Sequence, residues 1–397
     1  MEKAYNTLRT GPVERNLRRF VWRFSPADPW QDFALDRVHF GDACAATQLE
    51  VAKDIIADKG FSIDPEAARR IKEDVYVDDG LTGGTRAQVS RFVGTKQADG
   101  SYDGTFSEIL RLGNFKIKAF SISGQKPTEE STLLGDKVLG YSYDLETDVM
   151  AVNFTLNPSK KRRSVRLQSD LTLADVDKLK TITLTKRNLL GVVNGFGDFL
   201  GMASPFTMRY KVLMRKLFLL EEPLTWDMPI PETYREEWID LMTETLMNGP
   251  LLFPRCARPS NALDGNGPEI VGCSDYGEAG YEARVYLRWK LDSGAESPYA
   301  ARLLICKARV PPLQGLTVPR GELCGLTLQS RLMVSVAHAL QKLDDPPISG
   351  IILVDSKCAI SSVYSTKSLL PYFQNRVAEV KDNISHFQQS CNMEGIF

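Results

Sequence analysis

Five carboxylates in this 397-residue chain stand where side chains could gather around a cation. Asp275 closes the apolar run IVGCSD, Glu322 falls in the first turn of a helix opened by PRGELCGL, and Asp355 closes a second apolar run, GIILVDS. Two strand-end acids and one helix acid converge on one edge of a small α/β sheet. Three carboxylates aimed at one spot repel strongly, so divalent cations are their natural complement. The other two are Asp78 and Asp79, neighbours within DVYVDDGLTGG. Aspartate is disfavoured in strands, and two unit charges about 4 Å apart repel by roughly 4 kcal/mol at an effective dielectric of 20. A pair of them at a hairpin tip therefore also points to a cation, with a solvated Asp-Gly turn as the bland alternative.

The elements that must carry these acids follow from the hydrophobic rhythm. After Gly41, Ala, Leu, Val and Ile recur at helical spacing, and DVYVDDGLTGG then reads as two short strands joined by a tight turn at Asp78 and Asp79. GNFKIKAFSISG and KVLGYSYDLETDVMAVNFTL read as further strands. Residues 159–220 hold 13 Lys or Arg against four Asp. Much of that window has helical spacing, which predicts an extended basic helical layer; a solvated helix face plus a charged loop at KKRR is the alternative. Residues 249–269 concentrate Pro, Gly and Asn, the signature of a linker. Beyond it come strands IVGCSD, YEARVYLRWKL and ARLLICKARV, a helix from about Arg320 to Leu343, the strand GIILVDS and a further helical stretch. That β-β-β-α-β-α order fits a mixed sheet with helices packed on it.

Composition narrows the function classes. Lys plus Arg total 49 against 50 Asp plus Glu, so any nucleic-acid surface must be regional. With 43% hydrophobic and 25% charged residues the chain should fold, in two to three domains. Seven single cysteines without CxxC spacing and three scattered histidines speak against a zinc site or a disulfide framework, and for a reducing interior. The amino terminus is charged from its second residue, unlike a signal peptide, and no apolar run reaches transmembrane length. The expectation is an intracellular protein, cytoplasmic or nuclear, with no membrane partner and no oligomeric state dictated. Asp292-Ser293-Gly294 matches the D-S/T-G of aspartic peptidases but reads as a hairpin turn.

The string YVDD, between apolar alternation and GLTGG, resembles the YxDD hairpin of reverse transcriptases, and the flanks agree. RRFVWRFSPADPWQDFALDRVHFG is similar to the palm of Pao/BEL-type LTR retrotransposon polymerases, GNFKIKAFSISG with KVLGYSYD to their primer grip, and TKRNLLGVVNGFGDFLGMASP and WDMPIPETYREEWIDL to their connection. SDYGEAGYEARVYLR, CKARVPPLQGLTVPRGEL and VDSKCAI resemble the same family's RNase H domain, a region sometimes catalogued as a Pao retrotransposon peptidase. The resemblance covers nearly the whole chain, in order.

It implies α+β and α/β multidomain architecture: a partial palm over 1–157, a basic helical thumb and connection over 158–248, a linker over 249–269, and an RNase H-like mixed sheet with flanking helices over 270–397, short at its carboxyl end. It implies two-metal Mg2+ sites at Asp78 and Asp79 and at Asp275, Glu322 and Asp355. Tyr5 would correspond to the aromatic that excludes a ribose 2′-hydroxyl, and Phe40 and Gly41 to the nucleotide-pocket turn, should a dNTP bind. Lys160, Lys161, Arg162, Arg163, Lys186 and Arg187 would contact phosphates of an RNA–DNA hybrid or primed template. The family's first palm aspartate would precede Met1 in MEKAY, and Glu2 is no obvious substitute, so DNA synthesis is expected to be impaired. Glu394 is the nearest candidate for a fourth RNase H acid, and Gly321, where the family has PRLEL, is expected to loosen Glu322. The implied function is Mg2+-dependent hydrolysis of RNA in RNA–DNA hybrids; the alternative is a catalytically inactive, domesticated nucleic-acid-binding or interaction protein.

Overall fold

The computed structural model describes residues 1, 4–39, 41–124, 137–154, 156, 172–341 and 346–391. Two compact units divide the chain, Met1–Leu139 and Gly140–Phe397, and together they are a mixture of helix and sheet. No described helix is long and apolar enough to cross a membrane.

In the first unit, helices α1 (Ala45–Gly60), α2 (Pro65–Asp74), α3 (Arg86–Val93) and α4 (Thr105–Arg111) close over a core that includes Leu49, Ile56, Ile71, Phe92, Ile109 and Phe115. Local chemistry starts two of them. Asp64 accepts from the backbone N–H groups of Glu66 and Ala67 ahead of Pro65, and Thr85 with Gln88 forms a capping box. Two short ribbons complete the unit: β1 (Arg19–Trp22) with β2 (Gln31–Ala34), and β3 (Val75–Tyr76) with β4 (Asp79–Gly80). GNFKIKAFSISG, expected as a strand, forms no strand element. Asn114 takes a positive φ of 58° and the Phe115 N–H bonds back to the Leu110 carbonyl, so the segment opens as the terminating turn of α4.

The second unit begins with β5 (Tyr141–Asp144) and β6 (Val149–Val152), a hairpin as expected, and β7 (Leu251–Pro254) pairs with β6. Part of the expected linker is thus a strand. Phe253 stacks edge-on against Tyr141, and Arg255 is paired with Asp148, which holds this Pro- and Gly-rich stretch on the hairpin. Between β6 and β7 run α5 (Lys186–Val193), α6 (Ser204–Phe218) and α7 (Glu232–Asn248), packed through Leu189, Val192, Tyr210, Leu213, Trp238 and Met242.

The mixed sheet follows the expected element order: β8 (Glu269–Gly277), β9 (Gly280–Lys290), β10 (Tyr299–Arg309), α8 (Val318–Leu340), β11 (Ser349–Val354), α9 (Lys357–Tyr364) and α10 (Pro371–Cys391). Spatial order is β10-β9-β8-β11, antiparallel except that β11 runs parallel to β8. Period-two burial on β9 sends Ala283, Val285, Leu287 and Trp289 to one face, where Leu328, Leu332, Met333 and Ala337 of α8 cover them. The outer edge of β10 is covered by the preceding helical layer. Cys306 N–H donates to the Leu200 carbonyl at 2.7 Å, and Gly201, at φ +73°, passes so close that a Cβ would lie 1.9 Å from the Cys306 oxygen. Lys211 bonds the Ala308 carbonyl, while Arg215 bonds those of Pro311, Pro312 and Leu313.

Candidate metal centre

Parallel pairing of β8 with β11 puts Val354 opposite Ser274, so Asp355, just past the end of β11, stands beside Asp275, which was expected to end its strand but lies within β8, opposite Glu282 of β9. α8 crosses β8 with Glu322 in its first turns. Each of the three acids offers an oxygen lying within 4.8 Å of the other two, and they form the one cluster of this kind among the described residues. Asp275 and Asp355 are exposed, whereas Glu322 is only 9% exposed. Burial first, then the charges of Asp355 and Asp275, push the Glu322 carboxyl above its ordinary value of 4.5. A set of hard oxygen donors carrying uncompensated repulsion fits Mg2+, which these three residues would hold.

Two neighbours fix the arrangement. Tyr276 N–H donates to Asp275 Oδ1 at 2.8 Å, and the Tyr276 hydroxyl donates to the Leu316 carbonyl at 3.1 Å, tying the end of β8 to the loop entering α8. The Tyr276 ring lies flat against Gly321, where a Cβ would come within 2.3 Å of it. Gly321 therefore does the opposite of loosening Glu322. It lets the first turn of α8 approach β8 closely enough for the helix acid to reach the strand acids.

The raised carboxyl has a stability signature. Where a folded-state acid titrates above its unfolded value, ionisation costs more in the folded chain, so stability falls as pH rises through the unfolded value and stays lower above the folded one. Glu322→Gln removes that cost. In metal-free buffer at pH 7 the variant is expected to melt higher than the parent, by roughly 2–4 °C per kcal/mol recovered, and the gap should close near pH 4. Thermal melts at both pH values decide it; equal midpoints at pH 7 would contradict the repulsion.

The YVDD hairpin forms, with Val75 opposite Gly80 and Tyr76 opposite Asp79. Its turn residues are Val77 and Asp78, one position earlier than expected, and Val77 sits at a positive φ of 58° that β-branched residues rarely adopt. The cause lies on α1: Glu50 accepts the Val77 N–H, and the buried Lys53, paired with Glu50, donates to the Val75 and Lys72 carbonyls. Asp78 and Asp79 are exposed, and no third described ligand joins them in a cluster. Tyr5 is half-buried; burial, then the charge of Asp78, pushes its hydroxyl pKa up, which puts it against this hairpin. Gly41 turns at φ +95° in open space. Phe40, Glu2 and Glu394 lie outside the described residues.

The basic layer needs correction. Lys186 is not on a phosphate-facing surface: it is buried, its Nζ 4.3 Å from the Phe218 ring centre and 5.5 Å from that of Trp226. Arg187 is held bidentately by Asp227 at 2.6 and 2.9 Å. Arg209 pairs with Glu244, Lys216 with Glu237 and Lys180 with Asp177, Lys211 binds a carbonyl within β10 and Arg215 those just beyond it. Among the described cations of the window, Arg209 and Lys216 thus meet acids of α7, Arg187 and Lys180 meet Asp227 and Asp177, and Lys211 and Arg215 bind backbone oxygens. Lys160, Lys161, Arg162 and Arg163 lie outside the described residues. Asp292 accepts from the Gly294 N–H at 3.2 Å in the β9–β10 connection, as a turn residue does.

Sequence reasoning missed Tyr276 as a support of Asp275; its signal was the aromatic directly after the acid. It also missed Lys53, a cation on the inward face of α1. No curated protein matches this chain. Residues 185–349 match a family model described as the Pao retrotransposon-like RNaseH-like domain, a stretch that contains Asp275 and Glu322 and ends before Asp355. From the capped start of α5 to the first residue of β11, this chain is similar to the RNase H-like region of Pao retrotransposons.

Proposed function

We propose that this protein hydrolyses the RNA strand of RNA–DNA hybrids in a Mg2+-dependent reaction centred on Asp275, Glu322 and Asp355. The observation that carries the reading is the convergence of three carboxylates from β8, α8 and β11 within 4.8 Å, in a region similar to an RNase H-like domain. Divalent ions held there would supply the charge that makes an attacking water more acidic and offsets charge on the leaving 3′-oxygen. Asp275 and Asp355 face solvent and would meet the scissile phosphate. Glu322 lies beneath them, oriented by the rigid start of α8, and Tyr276 holds the Asp275 carboxylate in one rotamer through its backbone N–H. Incubation of the intact chain with a labelled hybrid and Mg2+ tests the proposal, with Asp275→Asn as control. Cleavage lost in the variant supports it. Hybrid binding without cleavage in either protein favours the silent binding protein instead.

The ordered motifs of the first unit raise a second reading, RNA-directed DNA synthesis at Asp78 and Asp79 with Tyr5 and Gly41 near the incoming dNTP. Two exposed aspartates are a thin ligand set for two ions, so little or no extension of a primed RNA template with Mg2+ is expected. Robust extension that disappears in Asp78→Asn would establish the polymerase.

A further inference from the structure

We infer that Gln329 is a positioning residue for the carboxylate centre, joining the three elements that carry its acids; the inference rests on the nuclease reading above. Gln329 follows Glu322 by seven residues on α8, two helical turns further along the same face. It is completely buried. Its Oε1 accepts from the Ser274 hydroxyl at 2.8 Å, and its Nε2 donates to the Leu353 carbonyl over a longer 3.5 Å. Ser274 immediately precedes Asp275 on β8, and Leu353 stands two residues before Asp355 on β11. One amide thus binds the helix that presents Glu322 to both strands that present the aspartates.

The surroundings are shaped around that amide. Gly272 lies directly beneath it on β8, where a Cβ would stand 2.9 Å from Gln329 Nε2 and 2.4 Å from Met333 Sδ. A side chain there would lift α8 from the sheet or displace the amide. Elsewhere the α8–sheet contact is made by Leu328, Leu332, Met333 and Ala337, an apolar seam whose driving force is non-directional. Hydrogen bonds from one side chain to two strands fix the helix along and across the sheet. Placement matters at this scale, because carboxylates a fraction of an ångström out of register bind a metal poorly.

The test uses the intact chain with Mn2+ as the probe, its affinity read by titration calorimetry or electron paramagnetic resonance. Gln329→Met keeps the buried volume and removes both hydrogen bonds, and Ser274→Ala removes one of them. The expected result is a folded Gln329→Met protein, melting within a few degrees of the parent, with Mn2+ affinity lowered roughly 10–100-fold, the range for residues that orient metal ligands. Hybrid cleavage should lose kcat with KM little changed, and Ser274→Ala should move in the same direction by less. Should Gln329→Met not fold, Ser274→Ala alone carries the test. Variants that melt lower yet bind Mn2+ as the parent does would reduce Gln329 to a packing role and overturn the inference, leaving the nuclease reading intact. A parent that takes up no Mn2+ overturns both.

Discussion

Asp275→Asn and Asp355→Asn are each expected to lower hybrid cleavage by on the order of 10³-fold, equivalent to about 4 kcal/mol of lost transition-state stabilisation, without destabilising the chain. Both side chains are exposed, so an amide enters without steric cost. Each substitution also removes one of the charges that raise the Glu322 carboxyl. The metal-free variants should accordingly melt at or above the parent temperature while their activity collapses. That opposed pair of effects separates loss of a ligand from loss of fold, since most damaging substitutions lower both. Millimolar Mg2+ should raise the parent's melting temperature by mass action and leave those of the variants nearly unmoved. Activity within tenfold of the parent in either variant would remove that aspartate from the centre.

The second large effect concerns Gly321. Alanine is intrinsically favoured over glycine in a helix by about 1 kcal/mol, so in open space Gly321→Ala would stabilise α8. Here the added methyl would come within 2.3 Å of the Tyr276 ring, and overpacking of that kind costs about 1–3 kcal/mol. The sign of the change is therefore informative. We expect a lower melting temperature together with a loss of cleavage larger than the stability change explains, because the ring that must move is attached to the backbone that orients Asp275. Tyr276→Ala added to Gly321→Ala should recover stability but not activity. A stabilised, fully active Gly321→Ala protein would show that the helix does not depend on this close approach.

The sheet and its acids were legible because burial and chemistry write the same pattern there. YEARVYLRWKL alternates strictly, IVGCSD and GIILVDS are apolar runs that end in acids, and PRGEL marks a helix start with its own acid. The turn of the YVDD hairpin was misplaced by one residue because its position is set by Glu50 and Lys53, some 25 residues upstream, which no local pattern reveals. Charge counting failed at Lys186 and Arg187 for a related reason. A window of sequence records how many cations it holds, not that Glu237 and Glu244 return to meet them from another helix, Asp227 from a turn, or that Phe218 and Trp226 enclose a lysine. The strand Leu251–Pro254 was hidden by Pro250 before it and Pro254 at its end; its place comes from the partner hairpin. Gly321 was read as a weakness because a missing side chain looks like missing packing until the ring that occupies the space is seen.

The cover on β10 bears on where this protein can be divided. Leu200, Lys211 and Arg215 satisfy amide and carbonyl groups along and just beyond the edge strand β10, which Gly201 lets the chain approach closely. A chain begun at residue 270 would keep all three acids yet bare that margin, and an unpaired strand margin recruits copies of itself. A piece meant to test the proposed cleavage therefore needs the helical layer and, because β7 pairs with β6, the hairpin from residue 140 as well.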